Sequence, residues 1–167
     1  MNPNWVLTSR WRMDTGAVAV WTLLTDVEAW PRWWRYVRRA QVLERAPGSP
    51  VGDVTQIDWS SALFYGIRLR MVTTVAERPR LLEGHANGDL CGIGAWILEP
   101  TTEGGVDVTY RWEVELHRRW MRHSAAVLRP VFEWNHFVVM RAGARGMAQA
   151  LGCRVWHARE WSSHRRG

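Results

Sequence analysis

Three groups of side chains have the types and spacing to act on a bound molecule. Asn135 and His136 stand side by side in a long apolar stretch. A neutral imidazole works as a general base near pH 7, whereas a buried Asn or His also ties a helix to a sheet through hydrogen bonds. Arg68 and Arg70 alternate with Ile67, Leu69 and Met71 along one strand. Turned into a dry site, either guanidinium would hold a carboxylate or enolate by a charge-assisted hydrogen bond. If the apolar set faces the core, both arginines face water. Tyr110 and Trp112 share the apolar side of another alternating run. His136, Arg70 and Tyr110 are the candidates for chemistry, with the bland alternatives of tether, surface charge and core packing beside them.

Other combinations are weaker. His117 and His123 are six apart, and neither has a second close ligand, so no metal site is expected. Gly92-Ile93-Gly94 lies in a strand pattern and lacks a third glycine, which removes a phosphate loop. Cys91 and Cys153 show no CxxC spacing. No cofactor is expected.

Tryptophan is the compositional anomaly: 13 Trp against 3 Phe and 3 Tyr. A buried indole removes roughly 200 Å² from water but brings an N–H that needs a partner. So many indoles suggest broad flat walls around a space, against the alternative of plain core filling. The expected walls are Trp59, Trp96, Tyr110 and Trp112 from strands, Trp33 or Trp34 at the mouth, and Phe132, Asn135, His136 and Met140 from a helix. Arg68 and Arg70 are carried as ligand-binding candidates with them.

These residues need elements to hold them. Residues 4–13 alternate as a first strand. Asp14 or Thr15 is positioned to cap a helix through Val18, Val20, Trp21 and Leu24, and Asp26 restarts a short second helix containing Pro31. Strands follow at 41–45, 53–59, 66–75, 81–90, 91–98 and 106–117. The last places Val106, Val108, Tyr110, Trp112, Val114 and Leu116 on one face, the mark of an antiparallel sheet with one side in water. From about Ala125 to Leu151 the apolar spacing is helical, with Pro130 starting or kinking the helix and Gly152 ending it. The pattern predicts an α+β domain over 1–152, a curved antiparallel sheet wrapped around a long C-terminal helix. Residues 153–167 read as a flexible basic tail.

Formal charge is +6, carried by arginine alone, and half of it lies in that tail. No basic stripe accompanies a nucleic-acid reading element, so nucleic acid is not an expected partner. No run reaches 18 apolar residues, so no transmembrane segment is expected. No secretory signal is apparent, and the expectation is a cytoplasmic protein. Arg118-Arg119-Trp120-Met121-Arg122 would allow weak contact with an anionic membrane surface, or would simply be a charged turn before the helix. Oligomeric state is not readable.

Several strings resemble the SRPBCC superfamily, the helix-grip domains that include START lipid-transfer domains, pollen-allergen-like proteins and polyketide aromatase/cyclases. They are Val20-Trp21-Thr22-Leu23-Leu24-Thr25-Asp26 with Trp30-Pro31-Arg32-Trp33-Trp34, Gly92-Ile93-Gly94-Ala95-Trp96, Val108–Val114 and Arg129–His136. The last looks like a bacterial polyketide cyclase-like subgroup. The resemblance implies a helix-grip fold over residues 5–152 and a cavity for a hydrophobic or aromatic molecule. It also implies, for the cyclases, a Trp-x-Ser-x-Arg pattern on a central strand. That pattern is absent: Trp59-Ser60-Ser61 is followed by Leu63 where the arginine would stand. The leading expectation is therefore a small-molecule binding protein. A cyclase-like enzyme on such a ligand is the alternative, and a peripheral lipid carrier is the second alternative.

Overall fold

A computed structural model describes residues 5–115 and 119–164; within these, side chains are described except at 115, 119–128, 157 and 164. The chain begins with strand β1 (Trp5–Met13), helix α1 (Ala17–Thr25), one 3₁₀ turn (Val27–Ala29) and the short helix α2 (Trp30–Trp33). Six strands follow: β2 (Val37–Glu44), β3 (Val54–Ser60), β4 (Gly66–Glu77), β5 (Leu81–Gly88), β6 (Cys91–Pro100) and β7 (Val106–Glu115). Helix α3 (Arg119–Leu151) and strand β8 (Val155–His164) complete it. The eight strands form one sheet in the order β2-β3-β4-β5-β6-β7-β1-β8. Each described pairing is antiparallel.

Alternation decides which face is buried. Trp11, Met13, Val106, Val108, Trp96, Leu98 and Ile57 point to one side and are buried there with Trp21 and Leu24 of α1 and Met140 and Met147 of α3. Burying each such side chain is worth roughly 1.5–3 kcal/mol, so this inner face fixes the register. The outer face is ionic. Arg10 and Arg12 of β1 reach Asp107 of β7 at 2.9 and 2.7 Å. Those guanidiniums, Arg12 foremost, hold the Asp107 carboxyl down to about 2.

The order of elements matches the sequence reading, and two parts differ. Helix α3 begins at Arg119 and contains Pro130 rather than starting near it. The expected flexible tail is an ordered edge strand over Val155–His164, paired with β1. Its anchor is Asp14, which with Thr15 is one of the two residues that the sequence offers as a cap for α1. The α1 N-terminus has no side-chain cap, and Gly16 stands at that position. Asp14 instead accepts the Arg154 backbone N–H and the Arg154 Nε–H, the latter at 2.9 Å. Farther along, Arg141 of α3 pairs with Glu160 of β8 at 2.7 Å. The strand was hidden because its apolar positions are few and its charges are absorbed by partners distant in sequence.

Glycine lets the helices close on one another. A Cβ at Gly143 would lie 2.5 Å from the Trp34 ring, and one at Gly146 would lie 1.7 Å from the Trp33 carbonyl oxygen. The α2 segment therefore seats on a bare strip of α3. No helix among the described residues is long and apolar enough to cross a membrane.

Candidate functional site

Trp34 is the hub of the interior. It is 1% exposed, and its indole N–H donates to the Val139 carbonyl of α3 at 2.9 Å. Its ring stacks on Trp33 with centroids 5.4 Å apart and meets Trp59 edge-on at 4.8 Å and Trp96 at 5.9 Å. Trp96 in turn lies 4.6 Å from Tyr110. Tyr110 is 6.2 Å from the His136 ring, nearly parallel to it. A continuous aromatic path thus runs from α2 across β3, β6 and β7 to α3.

A cavity of about 70 Å³ opens beside this path. Trp30, Trp34, Trp59, Trp96 and Tyr110 line it with Val27, Ile57, Met71 and Leu82, and with Thr55 and Thr73 as small polar groups. Gly84 and Gly94 face each other across β5 and β6 and also line it. A Cβ at Gly94 would come 2.9 Å from the Tyr110 hydroxyl, and one at Gly84 would come 3.1 Å from Met71 Cε. The glycine pair therefore makes room for both side chains. The cavity has room for only a few water-sized molecules and is well below the ~300–1,000 Å³ of a pocket for a drug-sized ligand. The indoles fill space as much as they wall it.

Of the sequence candidates, Trp34, Trp59, Trp96 and Tyr110 come together at this cavity. Trp33 packs on Trp34 behind it. Trp112 sits in a neighbouring core cluster with Trp5, Leu7, Leu69 and Val114, and Met140 is buried in the main core. Asn135 is a tether: its Oδ1 accepts the Ala62 N–H of the β3–β4 loop at 2.9 Å. No lining residue comes from α3, so the expected wall of Asn135, His136 and Met140 stands outside the cavity, whose other side is the Val27–Trp34 segment. Three more candidates lie farther off. Arg68 and Arg70 project from the outer face, Arg68 pairing with Asp58 at 2.6 Å and Arg70 approaching Glu44 at 4.0 Å. Leu69 and Met71 take the inner positions, so strand alternation forces the arginines out. Phe132 is 43% exposed, because the α3 face toward the sheet carries His136, Met140 and Met147 instead. His117 lies outside the described residues, and His123 and the side chains of 119–122 lie outside the described side chains.

The residues not singled out include Trp30, Thr55, Ile57, Met71, Thr73 and Leu82. Their signal was present for β3 and β4, since they share the inner alternation with Trp59 and Leu69. Trp30 carried no such signal; its placement depends on its N–H reaching the Leu24 carbonyl at 3.0 Å.

Burial sets the protonation of the two titratable candidates. It pushes the Tyr110 phenol up, so the hydroxyl stays protonated. It pushes His136 down to about 4, so the imidazole is neutral at pH 7. His136 Nε2 is buried with no hydrogen-bond partner among the described residues, as are Ser9 Oγ and the indole N–H groups of Trp11, Trp33 and Trp59.

The architecture is thus a sheet gripping a long helix, with two short helices after β1 and an aromatic-lined cavity on the inner face. The family described as polyketide cyclase/dehydrase and lipid transport matches residues 17–142. The chain belongs to that family. Solved structures share the fold. A START superfamily protein from Mycobacterium smegmatis superposes with a TM-score of 0.72 at 12% identity, covering 89% of this chain and 97% of that one. The Zhui aromatase/cyclase from Streptomyces sp. R1128 gives 0.62 at 14% identity, covering 87% and 92%. The di-domain ARO/CYC protein of the steffimycin pathway gives 0.63 at 18%, covering 87% of this chain and 52% of its own length. At these identities the likeness shows the fold alone. No curated protein matches the chain.

Proposed function

We propose that the protein binds a hydrophobic or aromatic small molecule in the cavity between the inner face of the sheet and the Val27–Trp34 segment. The observation that carries this reading is the lining: five aromatic rings with apolar Val27, Ile57, Met71 and Leu82, against the polar Thr55, Thr73 and Glu83. Ligand sites are mostly apolar with a few placed polar contacts. The small volume means that a ligand is compact or displaces an indole. The test is titration of tryptophan fluorescence with small aromatic compounds, followed by native mass spectrometry. Saturable quenching with a retained, unchanged ligand supports the reading. Linear, non-saturating quenching with every compound ends it. For a cyclase-like reaction, Tyr110 is the titratable candidate on the cavity wall, with His136 behind it at 6.2 Å between ring centroids, and Arg70 faces outward.

A second reading, as a peripheral lipid carrier, is favoured by one surface. Phe64 stands fully exposed at the β3–β4 loop tip with φ +64°, between half-exposed Leu63 and Tyr65. A bulky residue held at positive φ costs about 1–3 kcal/mol, and such strain gathers at functional sites. Asn135 joins this loop to α3, where Val131, Phe132 and Trp134 are also exposed. Exposed aromatic clusters suit the membrane interface. The reading expects sedimentation with anionic vesicles that weakens with salt and with Phe64→Ser. No sedimentation at low salt removes it.

A further inference from the structure

The interior holds more hydrogen-bonding capacity than it uses. Ser9 Oγ, His136 Nε2 and the indole N–H groups of Trp11, Trp33 and Trp59 are buried without partners among the described residues. Leaving a buried donor or acceptor unmade costs about 1–3 kcal/mol each, so the sum is a standing penalty. Three of the five are indoles, which donate and cannot accept. Trp59 lines the cavity itself. Tyr110 lines it too and stands directly across from Ser9 on the adjacent strand. Gly94 leaves the space in which the Tyr110 oxygen sits. Of the five unpartnered groups only that of Trp59 belongs to a lining residue, and the Tyr110 hydroxyl is a second donor on the lining.

Charge is kept out of that space. The described arginines of β1, β4 and β7 all point to the outer face: Arg10 and Arg12 to Asp107, Arg68 to Asp58 and Arg111 to Glu113. Glu83 contributes to the lining, but its carboxylate accepts the Thr74 hydroxyl on the exposed side. His136 is neutral at pH 7. A carboxylate entering here would shed its water and gain no cation, which is strongly unfavourable. An uncharged oxygen would shed little and satisfy waiting donors.

We propose that the site selects an uncharged aromatic molecule bearing a hydrogen-bond-accepting oxygen, that Trp59 Nε1–H and Tyr110 O–H are the donors receiving it, and that a carboxylate of the same size is rejected. This rests on the small-molecule reading above and adds its polarity.

Three probes of nearly one size separate the possibilities: ethylbenzene, acetophenone and benzoate, titrated against the full chain by protein-observed NMR. Acetophenone should bind about tenfold more tightly than ethylbenzene, one good hydrogen bond's worth, and benzoate no more tightly than ethylbenzene. Tyr110→Phe removes only an oxygen, and an unchanged Tm will certify its fold. In it and in Trp59→Phe the preference for acetophenone should fall to about threefold or less, with ethylbenzene binding retained. Equal binding of ethylbenzene and acetophenone, or tightest binding of benzoate, overturns the selectivity while leaving the small-molecule reading intact. Wild-type preference that persists undiminished in both variants overturns the assignment of donors. Failure of all three probes to bind removes the small-molecule reading and this one with it.

Discussion

Replacing Trp34 by alanine should be the most damaging single truncation in the interior. The side chain is 1% exposed and touches four other indoles: Trp30, Trp33, Trp59 and Trp96. Truncating a buried Trp to Ala costs about 3–5 kcal/mol through lost transfer energy and the void left behind. The aromatic geometry places this site at the upper end, since each ring pair adds about 0.5–1.5 kcal/mol beyond area. The Val139 carbonyl also loses its indole donor. For a domain of this size each kcal/mol moves Tm by about 2–4 °C, so the expected loss is about 10–15 °C. Thermal unfolding followed by circular dichroism measures it. The void should also be specific. Apolar cavities of about 150 Å³ take up benzene-sized rings, so millimolar indole should raise the Tm of Trp34→Ala by several degrees more than it raises the wild type. A loss below about 3 °C, or no differential rescue, would refute the claim that this indole fills the centre of the cavity region.

Other expectations follow from the same contacts. Gly146→Ala should destabilise by about 1–3 kcal/mol in denaturant titration despite alanine's better helix propensity, because its Cβ meets a backbone carbonyl that cannot swing aside. Asp14→Ala should speed amide exchange across 155–164 with little change elsewhere, since Asp14 clasps the start of β8. His136 has its folded pKa lowered from 6.5 to about 4. The unfolded chain then binds the extra proton between those values, so stability is full above pH 6.5 and falls as pH drops toward 4, by up to about 3 kcal/mol. His136→Gln should flatten urea-unfolding free energies over that window; an unchanged slope would place the proton elsewhere.

Much of the fold was legible because one rule governs it. Alternation along residues 106–114 and 67–73 assigned inner and outer faces, and the buried set follows them. The same alternation placed Tyr110 and Trp59 at the cavity. It left open whether the arginines or the aliphatics of β4 faced inward, and the aliphatics take those positions. What periodicity cannot convey is contact at long range. Nothing local in Arg154 tells that Asp14 will hold it, so β8 read as a tail. Nothing local in Trp34 tells that Gly143 will receive its ring. Helical spacing put Phe132 and His136 on one stripe, yet the stripe is wider than the face that the sheet covers, and only His136 reaches Tyr110. The count of indoles suggested a space; their mutual packing shows why the space is small.

The central claim is that an apolar molecule enters between the sheet and the Val27–Trp34 segment. Indole N–H resonances of the 13 tryptophans report on it directly. On titration with ethylbenzene, the signals of Trp34, Trp59 and Trp96 should move together along one saturating curve. Those of Trp134 and Trp161, about half exposed on the surface, should stay in place. Movement confined to Trp134 and Trp161, or no saturable movement of the interior indoles, would contradict the account.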